Sequence, residues 1–80
     1  MASSQWQDCK NYGVAIIDRP DIEQIRLFYM QYSSHILHLP VGYLPESANW
    51  QGDNLIVRAR NFENNMFVLR YTDFRQFQFV

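Results

Sequence analysis

Two histidines, one cysteine, eight carboxylates and six arginines are the residues in this 80-residue chain able to do chemistry. His35-x-x-His38 is the histidine pair. On a helix that spacing puts both rings on one side, but a zinc site needs three or four ligands. No glutamate stands at helical spacing from either ring and Cys9 is far off in sequence, so no metal and no other cofactor is expected. The pair suits a helix C-terminus, where protonated imidazoles meet the negative end of the dipole. Cys9 has no histidine beside it and reads as a spare thiol, not a nucleophile.

General acid–base catalysis needs paired groups whose pKa values are pushed apart. The carboxylates here are scattered, and those of "DRPDIE" are accounted for by a helix start. No nucleophile elbow, phosphate loop, dinucleotide fingerprint or His-Glu-x-x-His pattern occurs. "QGDN" is a turn before a strand, not a phosphate cradle. Eighty residues that must also build a core leave little room for a substrate pocket. The expectation is a non-enzymatic protein with no small-molecule substrate.

The arginines point elsewhere. Six arginines stand against one lysine, Lys10, although the net charge is only −1. Guanidinium groups pair flatly with carboxylates and stack on rings, whereas lysine stays a hydrated point charge. A strongly basic chain would indicate nucleic acid or an anionic membrane, and this balance does not. With 48% hydrophobic and 19% charged residues the chain is globular. It is 16% aromatic, and rings burying about 150–250 Å² each do much of the work of a small core. A single cysteine excludes an intrachain disulfide. The opening "MASSQWQDCK" lacks the apolar run of a signal peptide, and no later run approaches a membrane span. A reducing, cytoplasmic setting without membrane contact is the expectation.

Elements must position these groups. Residues 1–10 read as a flexible lead-in, with Trp6 able to tuck back, and residues 11–80 as one domain. "YGVAII" reads as a buried strand. Asp18 as cap, Pro20 in the first turn, and Asp21 and Glu23 near the positive dipole end predict a helix start. Ile22, Ile25, Phe28, Tyr29, Tyr32, Ile36 and Leu39 then share about a third of the helical wheel, opposite Glu23, Gln24, Gln31, Ser34, His35 and His38. That predicts an amphipathic helix ending before Pro40. Residues 40–54 hold two of the three prolines and two of the three glycines, and read as a long irregular loop carrying Tyr43 and Trp50. "LIVRARNF" and "MFVLRYT" flank "ENN" as a hairpin, and "RQFQFV" adds a further strand. The predicted fold class is α+β: one helix on an antiparallel sheet of three to four strands, in the order β-α-β-β-β.

The hairpin register sets which face holds the arginines. A two-residue Asn64-Asn65 turn would place Arg58 against Tyr71, and the two alternations would disagree by one residue. A three-residue loop, Glu63-Asn64-Asn65, places Val57 against Tyr71 and Ala59 against Leu69, with its last residue left-handed. Because a slip of one inverts every side chain, the buried pattern favours the second. Ile56, Arg58, Arg60, Phe62, Val68 and Arg70 then share an outer face, with Arg58 directly opposite Arg70. Like charges so opposed are mildly destabilising. They are either screened by Glu63 and Asp73 or used to hold an anion.

The expected function is protein–protein interaction or assembly. Partner or second copy would dock on the arginine/apolar face (Arg58, Arg60, Arg70 and Phe62), with Tyr43 and Trp50 on the adjoining loop as secondary contacts. The terminal "QFQFV", with Phe77 and Phe79 inward, would be an edge strand open to pairing. The alternative is single-stranded nucleic acid held on the same Arg/aromatic face. Against it stand the absence of a glycine-aromatic run and the slightly negative net charge.

Overall fold

The computed structural model describes residues 3–30 and 33–80. The chain is almost entirely β. Helix α1 (Ser3–Tyr12) precedes β1 (Val14–Ile16), β2 (Gln24–Met30), β3 (Ser33–His38), β4 (Leu44–Gln51), β5 (Asn54–Arg60), β6 (Met66–Asp73) and β7 (Gln76–Phe79). Two antiparallel sheets result, one ordered β1-β2-β3 and the other β4-β5-β6-β7. Their inner faces enclose one core in which Leu27, Leu37, Leu55, Val57, Ala59, Leu69 and Cys9 are fully buried.

This overturns the α+β expectation. The segment expected as an amphipathic helix is the β2–β3 hairpin, in which Ile25 pairs with Leu37, Arg26 with Ile36 and Leu27 with His35. Leu27 and Leu37 decide the matter. Both are fully buried, and neither lies on the apolar stripe of the helical wheel. In an extended chain Ile25, Leu27 and Leu37 fall on the inner side and Arg26 and Ile36 on the outer, because side chains alternate with a period of two. The β-branched and aromatic residues of "QIRLFYM" also fit a pleated, half-buried surface. Asp18 and Asp21, expected to start a helix, instead hold arginines: Asp21 takes two hydrogen bonds from Arg19 and Asp18 one from Arg26. Of the expected stripe, Tyr32 lies outside the described residues, as does Gln31 of the polar side.

The expected loop over residues 40–54 is also corrected, since most of it is β4. β4 is an edge strand, where a proline deprives no neighbour of a ladder bond. Pro45 is buried opposite Ala59, and Glu46 bulges out before Ser47 resumes pairing with Arg58. Gly52 and Asp53 make the two-residue turn into β5, with Gly52 at φ 59°, as a first turn position of that hand requires.

Met1 and Ala2 of the expected lead-in lie outside the described residues, and from Ser3 onward the lead-in is helix α1. The helix lies against β2 and drives Trp6 and Cys9 into the core. Trp6 Nε1 donates to the Asp53 carbonyl at 3.0 Å, and its ring meets Trp50 and Phe74 edge-on at 4.9 and 5.2 Å between centroids. Lys10 pairs with the Asp53 carboxylate at 2.5 Å. Helix α1 thereby ties the three-stranded sheet to the β4–β5 turn of the other. "YGVAII", expected as a buried strand, yields β1 with Val14 and Ile16 exposed and Ala15 and Ile17 packed on the core.

Candidate interaction surface

The arginine face rests on the β5–β6 hairpin. Leu55 pairs with Tyr71, Val57 with Leu69, Arg58 with Val68 and Arg60 with Met66. The loop proper is Phe62-Glu63-Asn64, closed by the Asn61 N–H donating to the Asn65 carbonyl at 3.1 Å. Asn61 Oδ1 accepts from the N–H groups of Glu63 and Asn65 at 3.0 and 2.9 Å. Asn64 takes the left-handed conformation at φ 68°. The loop has the expected three residues and left-handed asparagine, one position earlier than Glu63-Asn64-Asn65. Moving a loop by one shifts the register by two, which leaves every side chain on its face.

Arg58, Arg60 and Arg70 therefore share the solvent side of the four-stranded sheet, opposite buried Leu55, Val57, Ala59, Leu69 and Tyr71. The direct opposition of Arg58 and Arg70 does not occur. Arg70 faces Ile56 and Arg58 faces Val68, so the two cations sit on a diagonal, about 7–8 Å apart at Cα, and the two aliphatics occupy the other diagonal. Their surroundings differ. Arg60 is bound to the Glu46 carboxylate and donates to Asn64 Oδ1 at 3.1 Å. Arg70 donates to Gln78 Oε1 at 2.9 Å. Arg58 is exposed and has no ion pair or hydrogen bond among the described residues. Neither Glu63 nor Asp73 screens these groups; Asp73 Oδ1 accepts instead from the Phe74 N–H at 2.7 Å.

The aromatic candidates part company. Phe62, 86% exposed, lies at the end of the arginine face with its ring over Gly42. Tyr43 lies on the opposite side, in a ring cluster with Phe67 and Phe79 at 5.4 and 5.5 Å. Trp50 belongs to the core side of β4 against Trp6. Of the three rings, Phe62 alone stands beside the arginines, and Tyr43 and Trp50 belong to the inner side.

Reading β2 and β3 as a helix hid a second surface. Val14, Ile16 and Ile36 are exposed on the solvent side of the three-stranded sheet. Between them Arg26 lies 5.9 Å from the Phe28 ring centroid and pairs with Asp18 at 2.5 Å. Period-two alternation in "VAI" and "QIRLF" was the signal for it.

The histidines are separated by the same change. Three positions apart on a strand, they point to opposite faces. His38 is exposed, whereas the His35 ring stacks on Tyr29 at 5.2 Å and abuts Phe74 at 5.1 Å. Among the described residues no three His, Cys, Asp or Glu side chains converge as metal ligands. A groove of about 700 Å³ runs between β3 and the β6–β7 turn, lined by His35, Ile36, His38, Asp73, Phe74, Arg75 and Gln76. Burial pushes the Cys9 thiol from 9.0 up to about 11, with the Asp8 carboxylate adding to the effect, so the thiolate a nucleophile needs is suppressed. No helix among the described residues is long and apolar enough to cross a membrane. No family model matches the chain, and no curated protein or solved structure matches it significantly.

Proposed function

We propose that this domain is a protein-interaction module whose contact surface is the solvent face of the four-stranded sheet, with free edge strand β7 beside it. One observation carries the reading: Arg58 and Arg70 stand diagonally on the solvent face with Ile56 and Val68 on the other diagonal, and Arg58 has no ion-pair partner among the described residues. Guanidinium groups among aliphatics are the composition of interface hot spots, and two cations this close suit a carboxylate-rich partner surface. Arg60 is less available because Glu46 already holds it. A nucleic-acid platform needs several rings beside its cations; here Phe62 alone of the candidate rings stands near the arginines and the Tyr43–Phe67–Phe79 cluster lies on the other face, which favours the protein reading.

The test is capture of partners from native extract by wild type and by the Arg58→Ser/Arg70→Ser double variant. Both side chains are exposed, so the variant's stability in thermal melts should match wild type within about 0.5 kcal/mol. The expected result is an acidic partner bound at least tenfold more weakly by the variant. Equal capture by both proteins, or an unfolded variant, defeats the proposal.

A further inference from the structure

The free edge of β7 has a definite backbone pattern. The Val80 N–H donates to the Val68 carbonyl at 2.8 Å, and Gln78 pairs with Arg70, Phe79 with Leu69 and Phe77 with Tyr71. Bonded and non-bonded pairs alternate along an antiparallel ladder. Val80 and Gln78 therefore spend their main-chain groups on β6, and the N–H and C=O of Phe77 and Phe79 point to the open side. Neither lysine nor proline blunts this edge, and no side chain in residues 76–80 is charged. Phe79 is 51% exposed, although Phe67, Phe77 and Tyr43 already cluster around it.

We propose that β7 pairs antiparallel with β7 of a second copy, across a two-fold axis at Gln78. Phe77 of each copy then lies opposite the partner's Phe79, and their outward groups exchange about four backbone hydrogen bonds. In that register the half-exposed rings of the two clusters meet on the inner side. On the outer side the two Gln78 amides face each other, each still able to donate although Oε1 already accepts from Arg70. No like-charged side chains are brought together, and Arg75 falls outside the paired stretch. A second copy is favoured over a foreign strand because Phe77 meets Phe79, Gln78 meets Gln78 and no charged side chain is opposed. An axis perpendicular to the sheet keeps both arginine faces on one side of an eight-stranded sheet, so an acidic partner would meet the Arg58–Arg70 patch twice. Such a dimer deepens the functional reading by naming the occupant of its edge strand, and forms whether or not the arginine face binds.

Sedimentation equilibrium of the intact chain, from about 1 μM to 1 mM, tests it. The expected result is a mass rising from 9.6 kDa to twice that value. Phe79→Pro removes one outward N–H and leaves the inward ladder intact, and should hold the mass at monomer. Phe79→Lys, a milder change at a half-exposed site, should do the same with an unchanged circular-dichroism spectrum. Register is read by oxidative cross-linking: Gln78→Cys should join two copies, and Gln76→Cys should not. A wild-type monomer at every concentration, dimers undiminished in both Phe79 variants, or cross-linking only through Gln76→Cys overturns the proposal. The Arg58→Ser/Arg70→Ser variant, dimeric but unable to capture partner, separates its fate from that of the arginine face.

Discussion

Gly13 has no room for a side chain. It succeeds α1, its N–H donates to the Cys9 carbonyl at 3.1 Å, and a methyl group built on it would collide with the main-chain carbonyl of Phe28. The colliding atom is strand backbone and cannot rotate aside. Gly13→Ala is therefore expected to cost at least about 3 kcal/mol, the upper end for overpacking, read as a fall in the urea midpoint. Nothing in "KNYGVAI" announces this, because the constraint comes from Phe28, distant in sequence. The arginines were more legible. Their alternation with Leu55, Val57 and Ala59 places them outward in any register that buries those aliphatics.

At the scale of elements, the β5–β6 hairpin shows how local chemistry and burial divide the work. Asn61 organises the loop through its Oδ1, and Asn64 accepts a left-handed backbone that most residues resist. Asn64→Ala should lose about 1–2 kcal/mol relative to Asn64→Gly in thermal melts. Both variants lose the bond to Arg60, so their difference isolates the backbone term. Three consecutive polar residues, "ENN", marked this hairpin, but three asparagines at 61, 64 and 65 left its centre open by one position. The β2–β3 hairpin was misread for a different reason. Ile25, Tyr29 and Leu39 satisfy a strand's period as well as a helical one, Phe28 and Ile36 fit only the helical stripe, and acidic residues around Pro20 resemble a helix start. Leu27 and Leu37 pointed to the strands, since a helix would have left both with the polar residues.

At the scale of the whole molecule, burial of two titratable groups sets the alkaline limit. Burial raises the Cys9 thiol from 9.0 to about 11 and the Tyr71 phenol, whose hydroxyl donates to the His38 carbonyl at 3.1 Å, from 10.0 to about 12. Above pH 9.0 the unfolded chain loses protons that the folded chain retains, so stability falls as pH rises, first between 9.0 and about 11 through Cys9, then up to about 12 through Tyr71. Urea midpoints should be flat from about pH 7 to pH 9 and decline beyond; Cys9→Ala should flatten the first part of that decline. A midpoint that stays level to about pH 11 in wild type would contradict the burial of these groups. The thiol should likewise react with a disulfide reagent only after unfolding.

Alternation along the last third of the chain was enough to determine strands there, an outward set of arginines, and a final strand without charged side chains, suited to an edge. Period, turn residues and charge are local quantities, and each acts within a few positions. The choice of hairpin over helix for residues 24–38, the recruitment of "LPESANWQ" as β4, and the burial of Trp6 beneath Trp50 and Phe74 depended on surfaces brought from elsewhere. A segment that satisfies two periods takes the one whose apolar side finds a partner, and that partner exists only once both sheets have met.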